Sequence, residues 1–306
     1  GLTSIGERAF MYTAIKSLTI PNTVTIINSY YYQYANDPYQ GAFENCKNLT
    51  EIKIGDGLTY IDSETFYGCT ALKSVTIGES VATINSHAFA GCSALVDIDF
   101  GSGVQTINRY AFSGCKALTE LELGSAVQSI GDYAFSGCNN LAEATLGDSV
   151  TSIGTEAFSN CTTLGNIVIP NAVTSLGSRT FSGCSSLKSA EIGAGVTTIN
   201  EATFSGCSAM TSITIGDNVK TIGKNAFYDC SALAEISIPQ SVTKIADYVF
   251  DNCSSLTDVV IENDSTALSL GSNGASPLFA DCPLDSMYIG RKINYSTLSS
   301  YGYSPF

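Results

Sequence analysis

The sequence predicts a repeat solenoid, a stack of 23-residue coils that share one continuous core. Ten cysteines from Cys46 to Cys253 follow one another at intervals of 23 residues, and each has a phenylalanine three residues before it, from Phe43 to Phe250. Within each coil a short apolar–polar alternation ends at a Gly or Pro, and a Val-x-x-Ile pair follows. A fixed period of this length marks coils that cannot bury their apolar sides alone and gain a core only by stacking. A length of 306 residues would also suit two globular domains, but the unbroken period favours a single solenoid spanning residues 1–306.

The first element of each coil is a strand. In Cys115–Gly124, Leu118, Leu121 and Leu123 are apolar, and Glu120 and Glu122 alternate with the last two. Period-2 alternation buries one face of a strand and exposes the other. The same slots hold Ile52/Ile54, Val75/Ile77, Ile98/Phe100, Ile213/Ile215 and Ile236/Ile238, mostly β-branched, as a pleated half-buried surface prefers. Gly78, Gly101, Gly124, Pro170 and Pro239 then punctuate a turn. These strands are expected to pair in parallel as one curved sheet.

A second extended segment follows, with Val81/Ile84, Val127/Ile130 and Val173/Leu176 flanking small hydroxyl residues. Next come Gly131, Gly154, Asn108 or Asn200, suited to a positive-φ corner. Ser86, Asp132, Thr155 or Ser178 stands after the corner as an N-cap. Ala-Phe-x-x-Cys should close the coil as about one helical turn, stopped by a left-handed residue at Gly137, Asn160 or Asp229.

Taken together, Leu-x-x-Ile-x-Ile-Gly/Pro-x-x-Val-x-x-Ile-Gly-x-x-Ala-Phe-x-x-Cys resembles the BspA-like class of leucine-rich repeats. Thirteen phenylalanine anchors, Phe10 to Phe306, carry the resemblance along essentially the whole chain. It implies a leucine-rich repeat solenoid and a secreted or cell-surface protein that binds or adheres to other proteins, host matrix or cell-surface proteins among them. The resemblance brings no catalytic residue and no cofactor. Because Phe306 opens a coil whose remainder is absent, the chain reads as a fragment of a longer repeat protein.

Charge narrows the partners. Twenty-eight Asp and Glu against fourteen Lys and Arg give a net −14, which argues against nucleic acid, since no basic patch exists to release counterions. No apolar run reaches the ~18 residues of a membrane span, so no membrane insertion is expected. The cysteines lack the paired Cys-x2-Cys spacing of a zinc site. A column of identical residues reads instead as a ladder of buried free thiols, although stacked coils about 4.8 Å apart would also admit bridges.

Two surfaces are candidate binding sites. The outward strand positions cluster Asp97, Asp99, Glu120, Glu122 and Glu143 on successive coils. Like charges on neighbouring strands repel, so a basic protein surface or a hard cation would relieve them, while simple solvation would leave them splayed apart. Paired carboxylates also serve glycosidases. That enzymatic alternative is weak, because the repeat shows no irregularity where such a site would be built, and a passive surface spacer is the other reading.

The second surface lies where the period breaks. An excess of eleven residues falls within Ser29–Gln40, and further insertions fill Asn263–Pro277 and Arg291–Pro305. Tyr30, Tyr31, Tyr32, Tyr34 and Tyr39 crowd the first, and Tyr295, Tyr301 and Tyr303 the last. Loop tyrosines supply amphipathic contact area at low entropy cost; folding back onto the solenoid flank would use them equally.

Overall fold

The computed structural model describes residues 1–27, 41–271 and 278–295. The chain divides into two compact units, Gly1–Ser152 and Ile153–Phe306. Each is built from the same coil.

The first strand of every coil pairs in parallel with its equivalent in the next. In the first unit Ser17–Ile20, Glu51–Ile54, Ser74–Thr76 and Asp97–Asp99 form a four-stranded ladder, and Glu120–Glu122 pairs with Glu143–Thr145. In the second unit Asn166–Ile169, Ser189–Ile192 and Ser212–Thr214 form one ladder, and Glu235–Ile238, Asp258–Ile261 and Ser286–Ile289 another. The expected single sheet is thus interrupted within each unit, after Asp97–Asp99 and after Ser212–Thr214. Charge alone does not open it. Glu120 and Glu143 pair in register, and the break after Ser212–Thr214 carries no facing acids there.

The second extended segment is present as two-residue strands. Tyr60–Ile61, Thr83–Ile84, Thr106–Ile107 and Ser129–Ile130 stack in the first unit. Thr198–Ile199, Thr221–Ile222, Lys244–Ile245, Leu268–Leu270 and Ile293–Tyr295 stack in the second.

The segment expected to be a helical turn is not helical. Alternate amides leave the coil: His87, Phe89 and Gly91 donate to the carbonyls of Arg109, Ala111 and Ser113 at 3.1, 2.8 and 2.8 Å. Only the amides between them close tight local turns, Ala90 onto His87 at 3.0 Å and Cys92 onto Phe89 at 3.2 Å. A helix would satisfy these donors internally and leave the coils unlinked along this side. With no helix, Ser86, Asp132, Thr155 and Ser178 are not N-caps.

Left-handed residues bracket this segment. The one before Cys is where the sequence placed it, at Gly137 (φ 72°), Asn160 (φ 58°) and Asp229 (φ 59°). The other is displaced: Tyr110, Tyr133, Glu156 and Ala202 have φ of 57°, 56°, 54° and 53°, two residues after the Asn108, Gly131, Gly154 and Asn200 expected there. Gly131 serves close approach instead, since a Cβ there would lie 2.7 Å from the backbone nitrogen of Arg109. A left-handed L-residue costs about 1–2 kcal/mol, and the hydrogen bonds on both sides hold it there.

The core is a set of columns. Phe10, Phe43, Phe66, Phe89, Phe112 and Phe135 stack at 5.1–5.4 Å in the first unit. In the second, Phe158 to Phe279 form a stack of their own at 5.4–5.6 Å. Phe43 to Phe250 are fully buried, each contributing about 1.5–3 kcal/mol of burial. Beside them the cysteines are free thiols, buried from Cys46 to Cys253 and half-buried at Cys282. Their thiols donate to carbonyls one coil back, as Cys69 does to Phe43 and Cys207 to Phe181, at 3.2 and 3.3 Å. Burial pushes the Cys92 and Cys138 thiols up to about 12.

Candidate functional site

A strand with one face in the core necessarily projects alternate side chains outward, and the fold uses this to build its most regular exposed surface. On the first unit Asp97, Asp99, Glu120, Glu122 and Glu143 are all exposed on that face. Asp97 and Asp99 stand beside Ser74 and Thr76, and Glu120 is directly opposite Glu143. The four carboxylates of Asp97, Asp99, Glu120 and Glu122 flank the interruption of the ladder, where inward-facing Ile98 is only half-buried. Among the described residues no Lys or Arg lies within ion-pair distance of these five acids. One carboxylate is engaged locally: Asp99 accepts from the amide of Gly101 at 3.0 Å. No group of three or more His, Cys, Asp or Glu side chains among the described residues is arranged to hold a metal ion.

The tyrosine-rich insertions are a different case. Tyr30, Tyr31, Tyr32, Tyr34, Tyr39, Tyr301 and Tyr303 lie outside the described residues. For Tyr295 only the backbone is described, paired opposite Leu270 at the end of its strand.

Two features escaped the sequence reading. On the second unit the ladder opening after Ser212–Thr214 is a shallow hollow of about 310 Å³, lined by residues including Ser212, Ile213, Glu235, Ile236, Asp258 and Val260. Val260 is opposite Tyr288, and the two are 41% and 52% exposed, an apolar pair on an otherwise polar face. Hydroxyls of Ser286 and Thr257 donate to Asp258 and hold its carboxyl below the usual range. The sequence signal was a valine followed by a tyrosine in an outward slot that most other coils fill with a polar residue, Val168 being a further exception.

The second feature belongs to the first unit. His87, Tyr110 and Tyr133 stack at 4.7 and 4.5 Å, and the Arg109 guanidinium lies 4.8 Å from the Tyr110 ring centre and 5.7 Å from that of Tyr133. Burial, and then the Arg109 charge, keep the His87 imidazole below its ordinary pKa. Aromatic residues two positions before Phe in three successive coils were the available signal. They were unreadable without knowing that this slot is left-handed and points sideways.

No helix among the described residues is long and apolar enough to cross a membrane.

Comparison with known proteins agrees with this geometry. The family model described as the BspA type leucine rich repeat region matches in six copies, over residues 1–37, 39–165, 153–276 and 186–304. A leucine-rich repeat protein from Bacteroides ovatus is 28% identical with a TM-score of 0.61, covering 97% of this chain and 88% of its own. A leucine rich cell surface protein from Faecalibacterium prausnitzii is 26% identical with a TM-score of 0.50, covering 94% and 89%. A leucine-rich repeat protein from Eubacterium ventriosum shares the fold at 21% identity and a TM-score of 0.51, over 84% and 87%. No curated protein matches the chain. With the family model matched along nearly its whole length, the chain belongs to the BspA-type leucine-rich repeat family.

Proposed function

We propose that this chain is a non-enzymatic protein-binding module of a secreted or cell-surface protein, acting in adhesion, and that its coils form one solenoid. The family, and the likeness to a leucine rich cell surface protein, support a surface interaction role. The observation that carries the reading is the exposed strand face holding Asp97, Asp99, Glu120, Glu122 and Glu143 without a basic partner. Side chains on strands are fixed in spacing before any partner arrives, so little ordering entropy opposes docking. The partner is a protein with a basic surface, such as a matrix or cell-surface protein. Carboxylates steer its approach, and the tyrosines of the insertions, Tyr30, Tyr31 and Tyr32 first, anchor it.

The experiment is a binding screen of the purified chain against immobilised matrix and cell-surface proteins at two salt concentrations. Association should slow at high salt and in Glu120→Gln/Glu122→Gln. Tyr30→Ser/Tyr31→Ser/Tyr32→Ser should raise dissociation more than the acidic variant does. Salt-independent binding unaffected by either variant refutes the assignment. Cleavage of any member of a polysaccharide panel, lost in Glu120→Gln, would overturn the non-enzymatic reading.

A further inference from the structure

The ladder opening after Ser212–Thr214 lies inside the second unit, with paired strands on both sides of it. Elsewhere in this unit a carbonyl just before the strand links each coil to the next. Lys188 accepts from the amides of Thr211 and Ser212 at 2.9 and 3.3 Å, and Ala234 from those of Thr257 and Asp258 at 2.9 and 3.2 Å. Thr211 occupies the same position, yet among the described residues its carbonyl receives no amide. Nor does any backbone hydrogen bond among them join Ser212–Thr214 to Glu235–Ile238. A backbone acceptor left open in this way needs water or a ligand to satisfy it.

The surroundings of the opening define that ligand. The parted strands leave Ile213 half-buried, and with Ile236 and Val260 it gives the hollow of about 310 Å³ an apolar floor and wall. Glu235 and Asp258 also line it, both exposed and directly opposite each other in the ladder. Strands paired so stand about 4.8 Å apart, a separation that one planar cation can bridge. Among the described residues neither carboxylate has a Lys or Arg within ion-pair distance. Hydroxyls of Ser286 and Thr257 favour the ionised form of Asp258. An alkyl stem for the apolar wall and a flat, charged, donor-rich head for the acceptors together describe an arginine side chain. The same unit already holds one guanidinium on open carbonyls, since Arg291 donates to Pro239, Gln240 and Val242 at 2.8 Å.

We propose that this hollow is a pocket for an arginine side chain of a protein partner, a proposal that rests on the chain being a protein-binding module. The guanidinium bridges Glu235 and Asp258 and gives a further N–H to the Thr211 carbonyl, while its methylenes pack on Ile213, Ile236 and Val260. The partner thus meets a second acidic site, on a different unit from Asp97, Asp99, Glu120, Glu122 and Glu143, and one that selects a residue type and not charge alone.

The test titrates the full chain with capped Gly-Arg-Gly, Gly-Lys-Gly and Gly-citrulline-Gly peptides while backbone amide NMR shifts are followed. The arginine peptide should move the amides of Ser212, Ile213, Glu235 and Ile236. The lysine peptide should bind about tenfold more weakly, and the citrulline peptide, which keeps the shape and loses the charge, should have no effect. Glu235→Gln should weaken the arginine peptide about tenfold and leave amide shifts outside the hollow unchanged, so that the fold is seen to persist. Equal responses to arginine and citrulline, shifts confined to the face around Glu120 and Glu122, no shift at all, or undiminished binding in Glu235→Gln overturns the proposal. Salt-dependent binding of a matrix or cell-surface protein beside any of these results leaves the module reading standing. A responsive hollow in a chain that binds no protein counts against the module and not against the pocket.

Discussion

The Cys138 thiol donates to the Phe112 carbonyl of the preceding coil at 3.4 Å. This contact unites the two residue columns, Phe and Cys, that mark the 23-residue period. A serine at position 138 therefore keeps a buried acceptor, but its shorter C–O bond leaves the hydroxyl beyond the ~2.7–2.8 Å it prefers. Cys138→Ser should cost about 1–3 kcal/mol, read by chemical denaturation. The native chain should show almost no reactivity at the column's interior thiols, and full reactivity once denatured.

Phe112 stacks on both sides, 5.1 Å from Phe89 and 5.4 Å from Phe135. Phe112→Ala opens a void that the rigid flanking coils cannot collapse, and should cost about 3–5 kcal/mol in the same measurement.

Gly131→Ala tests close approach rather than backbone strain. Its φ is not in the left-handed region, yet the added Cβ would meet the Arg109 backbone nitrogen at 2.7 Å. Separating two hydrogen-bonded coils should cost about 1–3 kcal/mol. A variant as stable as the parent would refute the packing account.

Arg291 is buried, with donors 2.8 Å from the carbonyls of Pro239, Gln240 and Val242. It ties the last described coil to a turn about fifty residues earlier. Arg291→Ala leaves those acceptors without their charged donor and should cost about 2–4 kcal/mol. Arg291→Lys should fail to rescue, because an ammonium lacks the planar fork that reaches three carbonyls.

Glu64 gives a pH signature. Burial first, and then the charge of Glu44, push its carboxyl up to about 7 from 4.5. The raised value means that the folded chain holds a proton the unfolded chain has already lost. This contribution is fully present below about pH 4.5 and is lost as pH rises through about 7. Melting temperature should fall between pH 5 and pH 8 by the equivalent of roughly 1–3 kcal/mol, and Glu64→Gln should remove that part of the slope.

The sequence by itself determined the coil. Period, strand alternation and the Phe–Cys columns were legible because burial acts on every coil identically and writes the same residue into each slot. The left-handed residue before Cys was legible for the same reason, since Gly, Asn and Asp recur there. What only the tertiary structure decided was where hydrogen bonds cross between coils. Ala-Phe-x-x-Cys looks helical locally, but its alternate amides are claimed by the neighbouring coil, by carbonyls 22 residues away that local propensity cannot see. The gap beside Ile213, the stack of His87, Tyr110 and Tyr133, and the reach of Arg291 are likewise relations between coils. They depend on which positions are brought side by side, and composition within any one coil carries no record of that.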